Sequence, residues 1–213
     1  VQITKRVVII DYGNGNANSI KNALAELGVS SVYSSNVQEI DSADSLILPG
    51  VGHHRSAMIA LTSSKLVAPL TEAVMIHKKP VLGICLGMQL MTVKSEEGGE
   101  AGLGWISAET QRIVPIDRSR FKVPHVGWNT IEKNLSSVLL NGIVTEYEPF
   151  YFCHSFAISG LFEDETTLTS MVKYDCEYVA IFEQGNIFGV QFHPEKSQDC
   201  GLKLLQNFLS VRS

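Results

Sequence analysis

The 213-residue chain carries a formal charge of −5 and 45% hydrophobic residues, an acidic balance that offers no basic field for a nucleic-acid partner. Its longest apolar runs, such as Val7 to Ile10 and Val81 to Ile84, have strand length and fall far short of the roughly 20 residues that span a bilayer. The length predicts one domain over residues 1–213 with a core that needs no staples; Val1 to Arg6 has no signal-peptide core, which places the chain in the cytosol, and the cysteines at 85, 153, 176 and 200 lack the C-x-x-C spacing of a zinc site, so free thiols are expected.

Arg6 to Asp11 holds four consecutive β-branched aliphatics, the pattern of a central parallel strand. A turn through Tyr12-Gly13-Asn14-Gly15-Asn16 leads into an amphipathic helix from about Ala17 to Leu27, stopped by Gly28. The Gly-x-Gly lacks the third glycine and the acidic partner of a dinucleotide fingerprint, so it reads as a structural turn and no cofactor is expected. Val32 to Ser34 and Ser45 to Leu48 read as further strands, the second running into Pro49-Gly50-Val51-Gly52. Alternating strands and helices predict a doubly wound, mostly parallel, flavodoxin-like α/β sheet with its crevice at the carboxyl ends of the strands. Glycines there can turn backbone N–H groups toward a substrate. The pair His53-His54 invites a metal reading, but adjacent side chains diverge and no third ligand is in sight, so no metal is expected. Helices are expected over Ser56 to Leu61 and Thr71 to His77.

Pro80 opens the apolar strand Val81 to Ile84, after which Gly83 and Gly87 bracket Cys85. A sharp strand-to-helix turn needs glycines where the chain passes close to itself, and it leaves its central residue strained and presented to the crevice. The helix that follows would aim free N–H groups at the sulfur and favour thiolate. Cys85 is thus a candidate nucleophile. Beyond it, Ser95 to Gly104 reads as a loop flanking the pocket, Trp105 to Pro115 and Phe121 to Ile131 as extended segments, and Tyr151 to Phe156 as one strand. Tyr178 to Glu183 and Ile187 to Phe192 are expected to pair across Gln184-Gly185-Asn186, making this half antiparallel or mixed, and Gly201 to Val211 closes the chain as a helix.

A cysteine nucleophile needs a base that takes a proton and returns it, and the base needs a carboxylate to hold its tautomer. The strand end Gln191-Phe192-His193-Pro194-Glu195 supplies both, with the fixed φ of Pro194 stiffening the link.

Together, Gly83-Ile84-Cys85-Leu86-Gly87-Met88-Gln89, Pro49-Gly50-Val51-Gly52 and Gln191-Phe192-His193-Pro194-Glu195 resemble the class I (triad) glutamine amidotransferases, in that family's order and over essentially the whole chain. Within the family, Asp11-Tyr12-Gly13, Pro124-His125-Val126-Gly127-Trp128-Asn129 and the strand from Tyr151 to Ser155 are similar to the glutaminase subunits of imidazole glycerol phosphate synthases. The resemblance implies that Cys85 attacks the side-chain amide of L-glutamine, that His193 is acid and base, and that Glu195 orients it. It also implies an oxyanion site at the N–H groups of Leu86 and Val51, the latter after a peptide reorientation, and glutamine binding by Gly50, Gly52, Gln89, His154, Ser155 and Phe156. The implied partner is a separate (β/α)8 cyclase subunit that consumes the ammonia in histidine biosynthesis, with Trp128 suited to the contact surface or to the core.

Two departures stand out: His53-His54 where the family has a small residue and an aromatic, and Phe156 where it has tyrosine. They fit loosely a paralogous glutaminase that supplies ammonia for amidino groups on cell-surface sugars. A non-catalytic interaction subunit or a cysteine hydrolase of peptides is the reading from another class. The intact Cys85, His193, Glu195 set argues against the first of these, and Gln89 with Pro49 to Gly52 against the second.

Overall fold

The computed structural model describes residues 5–13, 17–159, 162 and 164–211; the turn through Asn14, Gly15 and Asn16 lies outside them. The first half alternates β1 (Val7–Ile10), α1 (Ala17–Glu26), β2 (Ser31–Ser34), α2 (Val37–Asp41), β3 (Ser45–Leu48), α3 (His54–Ser63), α4 (Val67–Thr71), β4 (Val81–Ile84) and α5 (Leu86–Leu90). The second half is richer in strand: β5 (Lys94–Ser95), β6 (Glu109–Arg112), β7 (His125–Asn129), β8 (Ile131–Glu132), β9 (Phe150–His154), β10 (Phe156–Ile158), β11 (Leu168–Tyr174), β12 (Cys176–Gln184) and β13 (Ile187–Val190), followed by α6 (Gln198–Ser210).

Eight strands form the main sheet in the order β2-β1-β3-β4-β13-β12-β11-β8. The five from β2 to β13 run parallel, and β12, β11 and β8 continue the sheet antiparallel. This is the mixed α/β architecture expected from the strand and helix alternation. β1, β3, β4 and β13 are buried at every residue because helices cover both faces of the sheet. One apolar cluster joins Val7 and Ile9 to α1 and α6, and the other joins Val8 and Ile10 to α3 and Leu70. No single helix among the described residues is long and apolar enough to cross a membrane.

Several elements depart from the sequence pattern. The run from Tyr151 to Phe156 is two strands: β9 pairs with β7 in a two-stranded ribbon, the chain bends at Ser155, and β10 pairs with β6 in a three-stranded sheet. β9 alternates in burial while Ala157 and Ile158 of β10 are both buried, and the two strands pair with different partners. The helix expected from Thr71 starts at Val67 with Pro69 in its first turn, where the missing N–H is harmless, and then widens into a π-turn from Glu72 to Ile76. α3 begins two residues earlier than expected, capped by His53, whose Nδ1 accepts the Arg55 N–H at 3.2 Å. Of the segment from Trp105 to Pro115 only Glu109–Arg112 is strand, α6 begins at Gln198, and α2 and β11 carried no signal strong enough to read.

Candidate active site

Cys85 stands between the last residue of β4 and the first of α5 with φ 54° and ψ −110°. A side-chain-bearing residue adopts that conformation only under external constraint, and the constraint is visible. A Cβ on Gly83 would lie 2.7 Å from the Met88 nitrogen, and one on Gly87 would lie 1.9 Å from the Leu48 carbonyl oxygen. A Cβ on Gly50 would lie 2.7 Å from the Gly87 nitrogen, so the loop after β3 is pressed against the elbow. Tyr12 anchors that loop by donating its hydroxyl to the Pro49 carbonyl at 2.7 Å. α5 is only five residues long, so its macrodipole is smaller than the sequence pattern suggested; what it offers are the unpaired N–H groups of its first turn, that of Leu86 first.

β13 runs beside β4 in parallel, with Val190 opposite Ile84, and the chain beyond it carries His193 to the elbow. His193 Nδ1 sits 2.8 Å from Glu195 Oε1, its backbone N–H donates to the Tyr151 carbonyl at 2.9 Å, and its carbonyl accepts the Ser197 hydroxyl at 2.7 Å. With Nδ1 committed to Glu195, Nε2 is the nitrogen left to face the sulfur. Burial disfavours the imidazolium, but the hydrogen bonds and charges of Cys85 and Glu195 outweigh it, and the His193 pKa is pushed up from 6.5 to about 10.

A cavity of about 330 Å³ opens at the sulfur, lined among others by Val51, Gly52, Cys85, Leu86, Gln89, Ser155, Phe156 and His193. Gly50 is not in its wall but behind it, against Gly87 and Leu86, where the two loops pack closely. His154 borders the cavity with both ring nitrogens already used: Nδ1 faces the Phe156 carbonyl at 2.8 Å and Nε2 faces His125 Nδ1 at 3.2 Å. Its ring nitrogens are therefore engaged within the wall, which leaves the His154 backbone as the part that faces a substrate. Burial, most of all, lowers the His154 pKa to about 3 and that of His125 to about 4, so both rings are neutral. Gln89 donates from Nε2 to the Phe156 carbonyl at 2.8 Å and to Gln191 Oε1 at 3.0 Å.

Sequence reasoning missed three polar residues here. Gln191 is wholly buried with Nε2 3.8 Å from the Cys85 sulfur, and its spacing of two from His193 on a strand end was the available signal. Glu97 and Lys196 also line the cavity. Glu97 Oε2 accepts the His54 N–H at 2.7 Å, and nothing in the loop around it marked it out among its neighbours. The two adjacent histidines diverge as expected, His53 capping α3 while the His54 ring is fully buried.

The family described as glutamine amidotransferase class-I matches residues 8–211. The chain is 42% identical to imidazole glycerol phosphate synthase subunit HisH 2 of Pseudomonas aeruginosa, over 96% of this chain and 99% of the relative. It is 42% identical to subunit HisH of a Geobacillus species, over 95% of each, and 40% identical to subunit HisH 1 of Campylobacter jejuni, over 96% and 100%. In fold it is similar to PurLQS of Thermotoga maritima, with a TM-score of 0.72 at 19% identity over 97% of this chain and 98% of that one. The family match over residues 8–211, together with relatives 40–42% identical and covered almost in full, makes this chain a member of the class-I glutamine amidotransferase family and, within it, of the imidazole glycerol phosphate synthase HisH subunits.

Proposed function

We propose that the chain hydrolyses L-glutamine with Cys85, His193 and Glu195 and passes the ammonia to a separate cyclase subunit built as a (β/α)8 barrel. The observation that carries this reading is the placement of a strained cysteine and a carboxylate-bound imidazole in one cavity. The thiolate attacks the side-chain amide carbon, and the negative charge gathering on the amide oxygen is met by the Leu86 N–H and, once the loop turns, by that of Val51. Val51 is 43% exposed and is followed by Gly52 at φ +96°, a hinge with little to hold it. Imidazolium His193 gives its proton to the departing nitrogen, NH3 leaves, and a γ-glutamyl thioester remains on Cys85. Water then attacks the thioester carbon while His193 takes its proton, releasing glutamate and restoring the thiol. Gly52, Gln89, Ser155 and Phe156 hold the body of the substrate, and Glu97, the sole carboxylate among the described residues lining the cavity, pairs with its α-ammonium.

Ammonia released into water at neutral pH becomes ammonium and stops being a nucleophile, so the cavity needs a cover. The β7–β9 ribbon presents exposed Val126 and Trp128 beside Pro124 and Cys153, which border the cavity. Trp128 is 48% exposed and lies on the surface, not in the core. A partner seated there would shield the exit.

A second reading keeps the chemistry and changes the customer to a sugar amidotransferase. It is favoured by His53-His54 and Phe156, the positions at which the chain departs from the family pattern. Glutamate release from glutamine, measured with and without the cyclase and its nucleotide ligand, tests both. Release that rises with the cyclase and vanishes in Cys85→Ala supports the first reading; release indifferent to the cyclase removes it, and activity retained in Cys85→Ala removes the triad.

A further inference from the structure

Beyond the end of β6, within the loop from Arg112 to Val123, lies a second cavity of about 300 Å³. Arg112, Arg118 and Lys122 surround it, and Ile113, Phe121 and Val123 are among its apolar walls. No carboxylate lines it. Acidic groups flank it and are partly engaged: Glu96 Oε2 accepts the Arg112 backbone N–H at 2.8 Å, Asp117 Oδ1 accepts from the Ser119 N–H and hydroxyl and feels the charge of Lys122, Asp175 Oδ2 accepts the Asp117 N–H at 2.8 Å, and the Lys122 ammonium itself donates to the Arg118 carbonyl at 3.0 Å. Among the described residues none of the three cations has a salt-bridge partner. In a chain of net charge −5 this is a local reversal of sign.

Both walls of the cavity lead to the glutamine site. The Ile113 N–H donates to the Ser155 carbonyl at 2.9 Å, and the Arg112 guanidinium lies 5.7 Å from the centre of the Phe156 ring, with Ser155 and Phe156 both facing the catalytic cavity. On the other side the Tyr174 hydroxyl clamps Lys122, accepting its N–H at 3.1 Å and donating to its carbonyl at 2.9 Å. The Tyr174 ring stacks on His125 with centroids 3.9 Å apart, and His125 continues through His154 to the Phe156 carbonyl and Gln89.

We propose that this second cavity binds a phosphate-bearing small molecule and that its occupancy alters the neighbouring glutamine site. Guanidinium forks and an ammonium recognise phosphate oxygens, apolar walls suit the body that carries the phosphate, and the volume is that of a small-ligand pocket. A ligand drawing Arg112 toward its phosphate would take the guanidinium off Phe156, and one resting on Lys122 would press on the Tyr174–His125 stack. The site itself does not depend on the glutaminase reading; only its effect on the cysteine does.

The test titrates the full chain calorimetrically with inorganic phosphate and with phenyl phosphate, and follows alkylation of Cys85 by iodoacetamide in each state. Phenyl phosphate is expected to bind at least five-fold more tightly than inorganic phosphate, to lose ten-fold or more in Arg118→Ala/Lys122→Ala, and to change the Cys85 alkylation rate at least two-fold. Lys122→Gln, which keeps the stem, is expected to fall between the two if the double variant fails to fold. Equal affinity in wild type and variants, or no gain over inorganic phosphate, overturns the site. Binding that leaves the Cys85 rate unchanged overturns the coupling while leaving the glutaminase reading intact. Competition between phenyl phosphate and the docked partner subunit reassigns the cavity to an acidic segment of that partner and overturns the proposal.

Discussion

His193 Nδ1 and Glu195 Oε1 meet at 2.8 Å although a single proline separates the two residues in the chain. The short link works because His193 is held in extended backbone, φ −102° and ψ 95°, and Pro194 opens a single 3₁₀ turn, Pro194–Lys196, that folds the carboxylate back onto the imidazole. Glu195→Gln keeps the shape and removes the charge. Because the hydrogen bonds and charges of Cys85 and Glu195 raise the His193 pKa to about 10, His193 keeps its proton up to that pH and activity falls on the alkaline side. Without the carboxylate, that limb moves toward neutrality and kcat drops by about 10²-fold or more. A pH–rate profile of the partner-activated enzyme checks this, and an alkaline limb left in place would remove Glu195 from its role. The same raised pKa means that stability linked to His193 is complete below pH 6.5 and is lost as the pH climbs toward about 10.

The His125–His154 pair has the opposite sign. Both pKa values lie below 6.5 in the folded chain, at about 4 and about 3, so between these values and 6.5 the unfolded chain binds protons that the folded chain refuses. Stability is therefore whole above pH 6.5 and falls as the pH drops, by as much as ~1.4 kcal/mol per pH unit for each histidine. Urea unfolding at pH 7, 6 and 5 should show the slope, and His125→Phe, which keeps the stack on Tyr174 and Phe152, should roughly halve it.

Neither ring nitrogen of His54 makes a hydrogen bond of good geometry; the Gln89 carbonyl is near enough to favour the protonated ring, but too poorly placed to satisfy it. Burial first and His53 second hold its pKa low, against Glu100 and the Gln89 carbonyl. An orphaned buried polar group costs about 1–3 kcal/mol, so His54→Leu, of similar volume, is expected to raise the melting temperature by several degrees. A melting temperature that falls would mean that the imidazole has a stabilising contact.

Gly87→Ala places a Cβ 1.9 Å from the Leu48 carbonyl oxygen, a backbone atom that cannot step aside. The elbow must open, moving Cys85 away from His193. Circular dichroism should report a less stable fold or, if the fold survives, iodoacetamide should alkylate Cys85 at least ten-fold more slowly.

Trp128→Ala removes a half-exposed aromatic from the ribbon beside the cavity and touches none of the triad. If the partner sits there, its dissociation constant rises by roughly 30-fold or more, as for a buried aromatic anchor, while alkylation of Cys85 in the isolated chain is unchanged. Unchanged affinity would move the contact to another face.

How far the fold was legible depends on element type. Val7 to Ile10 and Val81 to Ile84 announce buried parallel strands because four apolar residues in a row leave no face for water, and the observed strands have those bounds. β11, with its mixed burial and a register shift at Ser170/Met171, and the break at Ser155 depend on which strand lies alongside, information that no local pattern contains.

The site divides the same way. Cys85 could be read as a candidate from the glycines that a tight elbow demands, and His193 and Glu195 only in combination with that elbow, since a His-Pro-Glu triplet alone is a weak signal. Gln191, Glu97 and the closed His125–His154 network were not, since each owes its place to contacts across 29 to 106 residues of chain. The sequence determined the chemistry, through residue types bound by short-range geometry. Tertiary structure alone decided which polar groups remain free for substrate and which are consumed by one another, because a hydrogen bond is satisfied by whatever group the fold brings near.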